Sequence, residues 1–193
     1  ACIEKGLDVI RVKKELEETD KIVAGAQLDF NSFTPSFLVD YIVNVHHGFV
    51  NKNLPMIYDL SQKVAEHHGP SNPFLIEIAK MVNEVQCELT THMKKEEQIL
   101  FPTIKLMESG TDVKVGFESV FEPINVMERD HDIVGNLMKD IRRLTNDYSV
   151  PGNACNSIKM LYFKLEEFES DLFQHIHLEN NILFPKAKAL EIK

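Results

Sequence analysis

Apolar residues recur at intervals of three and four along most of this chain, with no convincing strand-like alternation, a pattern that predicts amphipathic helices throughout. Four long helical patterns stand out. The first opens with Thr34 as N-cap and Pro35 at the first helical position, a strong start signal. It runs through Leu38, Ile42, Val45, Phe49 and Met56 toward His68, and Gly69-Pro70 ends it. At ~1.5 Å per residue such a helix is about 50 Å long, with Pro55 expected to kink it or loosen its hydrogen bonds. The second repeats the start chemistry with Asn72 and Pro73 and runs through Ile76, Met81, Val85 and Leu89, with Pro102 as a kink or early end and Gly110 as a later stop. The third begins near Pro123, carries Val126, Met127, Ile133, Val134, Leu137 and Ile141, and ends around Asn146. A Pro-Gly-Asn turn at 151–153 separates it from the fourth, through Ile158, Leu161, Leu165, Phe168 and Leu172.

The expected fold class is all-α: an up-down-up-down antiparallel four-helix bundle with modest connections. Before it, residues 1–33 read as a short helical appendage. Asp8 can cap a helix over 9–24, Gly25 breaks it, and the polar stretch QLDFNSF forms a linker. The bundle itself then occupies residues 34–193.

One stretch occurs twice on these helices. HMKKEEQILFP starts at His92 and HIHLENNILFP at His175; each places a Glu four residues after the His, Glu96 and Glu179, followed by Ile-Leu-Phe-Pro in the same register. The match continues upstream, where Glu84 and Glu88 correspond to Glu167 and Asp171. Residues at i and i+4 stack on one helix face, so each copy offers a stripe of carboxylate and imidazole. Packing accounts for Ile-Leu-Phe but requires neither the His nor the Glu. A carboxylate on an apolar stripe costs several kcal/mol unless it is paired, protonated or metal-bound.

A lone His on a helix is ordinarily solvated or a satisfied core residue. Here the two helices without the repeated stretch each supply a candidate partner, His131 in MERDHDIVG and His47 in VNVHHGF. His46 and His47, being adjacent, are not both expected to face the core, and the spacing by itself does not choose between them. One inward His per helix with Glu96 and Glu179 makes four imidazoles and two carboxylates, a set suited to Fe or Mn and also to Zn. Two carboxylates shared by two metals leave each ion short of octahedral coordination. Glu88 and Asp171, one turn before His92 and His175, are candidates for orienting the imidazole nitrogen that faces away from the metal. Asp130 beside His131 is a candidate for lining access to the site, and His68 for an inward position at its helix end; His177 is expected to be exposed.

Other chemistries fail on spacing. The zinc-protease pattern H-E-x-x-H is absent, Glu128-x-x-His131 supplies one of the two E-x-x-H motifs of ferritin-like sites, and the cysteines lack zinc-finger spacing. The formal net charge of −9, with no offsetting basic block, argues against a nucleic-acid surface. No apolar run approaches the ~18 residues of a membrane span. The three widely spread cysteines suit a reducing compartment, so a cytoplasmic location is expected.

These residues resemble the hemerythrin-like superfamily, whose signature is H-x3-E on antiparallel helices. More narrowly, HMKKEEQILFP, MERDHD and HIHLENNILFP, with DYIVNVHHGFVNKNLP upstream, resemble the repair-of-iron-centres family of di-iron proteins, in order and over nearly the whole chain from Phe33. The resemblance implies two iron ions, oxo- or hydroxo-bridged, with His47, His92, His131 and His175 as ligands and Glu96 and Glu179 as bridging carboxylates. It implies a stress-response protein that repairs iron-sulfur clusters after nitrosative or oxidative damage, with iron donation as its role and iron-sulfur proteins as clients. The alternatives are a di-iron nitric oxide reductase or scavenger, and a hemerythrin-type oxygen or redox sensor. Oxygen-carrying hemerythrins place a further His one turn after the third-helix ligand; here that position is Gly135, which implies a more open iron. The opening ACIEKGLD resembles the end of that family's small cysteine-containing N-terminal domain, without its paired cysteines.

Overall fold

The computed structural model describes residues 28–111 and 119–191. The helix expected over 9–24 lies outside the described residues, and of the linker only a 3₁₀ turn, Phe30–Ser32, is seen. Everything that follows belongs to the unit Phe33–Lys193.

That unit is helical, and no strand occurs among the described residues. Among the described residues its seven α-helices are α1 Pro35–Tyr41, α2 Gly48–His68, α3 Phe74–Lys95, α4 Phe101–Glu108, α5 Phe121–Leu144, α6 Asn156–Leu178 and α7 Phe184–Glu191. The start of α1 follows the sequence: Thr34 is extended, its hydroxyl accepts a hydrogen bond from the Phe37 N–H at 3.3 Å, and Pro35 supplies a first-turn residue with no N–H to satisfy. At α3 the expected cap, Asn72, fails: the Asn72 side-chain amide donates instead to the carbonyl of His68, and the helix begins at Phe74.

Three of the four expected long helices are interrupted by a single π-helical turn: Ile42–His47 between α1 and α2, Glu96–Leu100 between α3 and α4, and Glu179–Leu183 between α6 and α7. A π turn bonds i to i+5 and inserts one extra residue into the helix. That insertion corrects the straight-helix register of the first pattern. After Leu38 and Ile42 the core positions become Val50, Leu54, Ile57 and Val64, whereas Val45 and Met56 are exposed. Pro55 does not stop α2, which continues to His68. Pro102 and Pro185 follow π turns and fall in the first turn of the resumed α-helix, where a missing N–H costs little.

The long helices close a ring: α2 packs on α3, α3 on α5, α5 on α6 and α6 on α2. Leu54 and Ile57, Val82 and Val85, Met138 and Ile141, and Leu165 and Phe168 meet in its apolar centre. Helix α4 packs against both α1 and α7, covering the end of the bundle at which the three π turns gather.

Candidate metal centre

The π turns carry the polar core. The first ends on His46 and His47, and the other two begin on Glu96 and Glu179. His92 and His175 lie in the last turns of α3 and α6, and His131 in α5. All six residues singled out by the repeated stretch and its partners are buried, the two carboxylates to 0 % exposure.

They converge as two overlapping quartets. His47, Glu96, His175 and Glu179 form one; His92, Glu96, His131 and Glu179 form the other, with the facing nitrogens and oxygens of each within 4.8 Å of one another. Glu96 Oε2 lies 3.4 Å from His47 Nε2 and 3.2 Å from His92 Nε2. Glu179 offers Oε2 to His131 Nε2 at 3.0 Å and Oε1 to His175 Nε2 at 3.1 Å. Across the cluster, His131 Nε2 and His92 Nε2 face each other at 3.0 Å.

These contacts are short, but most lack hydrogen-bond directionality. Both oxygens of Glu96, both of Glu179, and Nε2 of His47 and His175 are buried without a hydrogen-bond partner among the described residues. Two buried carboxylates left so are costly, and lone pairs aimed at common points are what a metal pair requires. The donor set fits: imidazole and carboxylate suit Fe, Mn or Zn, two carboxylates are available to both positions, and each position has two imidazoles.

Without a metal, protons supply the positive charge. Burial pushes the His131 imidazole down, but contact with Glu179 and the charges of Glu179 and Glu96 outweigh it and raise it to about 9. Burial likewise opposes protonation of His47, and Glu96, Glu179 and Glu97 together raise it. For Glu96, burial and the Glu179 charge push upward, yet His92 and His47 hold it below its ordinary value. Burial also opposes ionisation of Glu179, which His175 and His131 hold well below the usual carboxylate range.

Outside the cluster the imidazoles are held from behind. His47 Nδ1–H donates to Glu97 Oε1 at 2.7 Å, and His131 Nδ1–H donates to Asn180 Oδ1 at 2.8 Å. Each acceptor immediately follows its carboxylate, so Glu97 and Asn180 are equivalent positions of the repeated stretch. Sequence reasoning missed both; the available signal was a polar residue at the same offset in both copies. Phe101 stacks on His47 and Phe184 on His131, again one residue from each copy.

The other sequence candidates land differently. Asp171 reaches His46 Nδ1 at 3.0 Å rather than His175, whose Nδ1 has no hydrogen-bond partner among the described residues. His46 is itself buried and stacks on His175, so both neighbouring histidines face inward, contrary to the straight-helix expectation. The π turn is the reason. Asp130 bridges Lys95 at 3.1 Å and His92 Nδ1 at 3.6 Å, while Glu88 is exposed. His68 is at the far end of α2, beside Cys155, and His177 is exposed. Gly135 lines a cavity of about 330 Å³ with His131, Phe173 and Ile176, so one side of the cluster is approached by open space. No helix among the described residues is long and apolar enough to cross a membrane.

Comparison with known proteins agrees with this geometry. The pattern of the family described as "Hemerythrin HHE cation binding domain" matches residues 38–187. The chain is 35 % identical over 188 residues to a "Probable iron-sulfur cluster repair protein" of Haemophilus influenzae, covering 97 % of this chain and 81 % of that protein. It is 33 % identical over 187 residues to "Iron-sulfur cluster repair protein YtfE" of Dickeya chrysanthemi, covering 97 % and 80 %. To the protein of the same name from Yersinia pestis it is 38 % identical over 150 residues, covering 78 % and 64 %.

Proposed function

This chain belongs to the hemerythrin HHE cation-binding domain family, and from that premise we propose that it binds two iron ions and restores damaged iron-sulfur clusters on client proteins by donating iron. The observation that carries the reading is the pair of fully buried carboxylates, Glu96 and Glu179, whose four oxygens lack hydrogen-bond partners among the described residues and face four imidazoles. The names of its relatives support the repair role.

In this reading His47 and His175 would hold one ion and His92 and His131 the other, with Glu96 and Glu179 available to both. Bound iron supplies Lewis-acid and redox chemistry suited to small ligands. Glu97 and Asn180 fix the tautomers of His47 and His131, keeping Nε2 free to ligate. Phe101 and Phe184 shield these rings from water. In the metal-free chain the two carboxylates favour protons on His131 and His47, so metal binding would compete with protonation of these ligands. The open side at Gly135 adjoins His131, so an ion held by His92 and His131 would be the one nearer the cavity. We take residues 34–193 as the iron-binding unit and residues 1–33 as a separate appendage.

The decisive experiment loads the chain with iron anaerobically and adds it to a nitric oxide-damaged iron-sulfur enzyme. Wild type restores activity, whereas Glu96→Leu or Glu179→Leu does not. Fewer than about one metal per chain from iron-replete, anaerobic preparation overturns the two-ion reading. The cavity beside His131 also favours a second reading, a di-iron site that reduces nitric oxide. Steady production of nitrous oxide with a reductant, without cluster recovery, selects it; reversible oxygen binding selects an oxygen sensor.

A further inference from the structure

At the opposite end of α2 a thiol, an imidazole and a phenol share one cavity. Cys155 is the N-cap of α6, and its Sγ lies 3.1 Å from Nε2 of His68, the last residue of α2. Both line a cavity of about 200 Å³ with Tyr162, Phe74 and Asn153. Tyr162 is 2 % exposed and forms part of the cavity wall. Helix α2 separates this cavity from His47 by about 30 Å at ~1.5 Å per residue, so it is not part of the metal cluster. Packing explains Phe74, Leu75 and Ile158 in its wall; it does not require a thiol against an imidazole.

We propose that Cys155 is a nucleophilic thiol, with His68 as its base, that forms a mixed disulfide with a small disulfide bound in this cavity. Cys155 is unpaired and partly exposed, so an incoming disulfide can reach it. Nε2 of His68 takes the Sγ proton, and Sγ attacks one sulfur of R–S–S–R. A new Sγ–S bond forms as the old S–S bond breaks. The departing RS⁻ carries the electron pair and recovers the proton from His68 as RSH. The disulfide is the oxidant, Cys155 is oxidised, and one RS group is reduced. Cys155 stands at the N-terminal end of α6, where the helix dipole favours negative charge developing on Sγ. The Tyr162 hydroxyl supplies a hydrogen bond to the polar end of the bound RS group. At about 200 Å³ the cavity is below the ~300 Å³ at which drug-sized sites begin, and it suits a two-carbon thiol rather than a tripeptide thiol.

The test treats the whole chain with 2-hydroxyethyl disulfide at neutral pH and follows each cysteine by intact mass and peptide mapping. Cys87 is the internal comparator, being exposed on α3. Accessibility alone predicts that Cys87 reacts first; the dyad predicts that Cys155 reacts at least about ten-fold faster, reversibly with dithiothreitol. His68→Gln is expected to slow Cys155 by about ten-fold and leave Cys87 unchanged. Wild-type Cys87 reacting as fast as Cys155 overturns the proposal whether or not the variant folds. In a folded His68→Gln variant, an unchanged Cys155 rate overturns the role of the base. Glutathione disulfide reacting as fast as the small disulfide overturns the ligand size.

Discussion

At the residue scale the cluster depends on charges that cannot be left alone. Glu96 and Glu179 are wholly buried, so the metal-free protein must hold protons on facing imidazoles. His131 is raised from its ordinary 6.5 to about 9, so its contribution to folding is complete below pH 6.5 and is lost as the pH climbs through 9. The carboxylates are lowered, so theirs is present above 4.5 and fades as the pH falls through the folded values. The metal-free protein is therefore expected to lose melting temperature steadily from pH 6.5 to 9. The loaded protein, with cations in place of those protons, should not. Melting curves of both forms across that range check this, and parallel slopes would refute it. A second expectation concerns Asn180, the acceptor for His131 Nδ1–H. Asn180→Ala should weaken metal retention by about 10- to 100-fold in a chelator competition.

At the element scale the π turns align core and site. Without the extra residue in Ile42–His47, a helix entering through Leu38 and Ile42 brings Val45, Phe49 and Met56 inward in place of Val50, Leu54 and Ile57. Deleting exposed Asn44 should convert this turn to regular α-helix and force one side of the junction out of register. The expected result is nearly unchanged far-UV helicity, a lower melting temperature and a metal content well below wild type. Full metal content in the deletion variant would show that the turn does not set the register. Much of this scale was legible beforehand: the long helical patterns, the Thr34-Pro35 start and the apolar positions of α6, whereas Ile76 of α3 and Ile133 of α5, read as apolar-face positions, are exposed. The π turns were not legible, because an inserted residue leaves no composition signal and its gain is made only against neighbouring helices. The simultaneous burial of His46 and His47 escaped for the same reason.

Across the whole molecule, the end distant from the His/Glu cluster is secured by a different buried charge. Glu169 of α6 is fully buried and accepts from Arg142 of α5 through Nε, at 2.8 Å, and Nη2. The chain leaves α5 through three successive residues with positive φ, Asn146, Asp147 and Tyr148, a conformation that side chains rarely adopt. Arg142 also pairs with Asp147 there, and its guanidinium lies over the Tyr148 ring. Arg142→Ala should strand the Glu169 carboxylate. Because Arg142 is half exposed, the cost is discounted to about 1–3 kcal/mol, or several degrees in melting temperature. Glu169→Gln, which needs no counter-charge, should cost less. Calorimetry of the two variants checks the order, and a larger loss for Glu169→Gln would contradict it.

The sequence by itself determined the helical class, the doubled His-Glu stretch and the chemical character of the site, because helix periodicity and ligand chemistry are local properties. It placed His92 with Glu96 and His175 with Glu179, since i and i+4 meet on any helix. Only the tertiary structure decided which imidazoles share a position. His47 joins His175 because α2 packs on α6, and His92 joins His131 because α3 packs on α5. It also moved Asp171 from His175 to His46 and brought forward Glu97 and Asn180, because a ring nitrogen takes whichever acceptor the neighbouring helix delivers. Helix adjacency and the inserted π-turn residue are long-range outcomes of core packing. No window of sequence contains them.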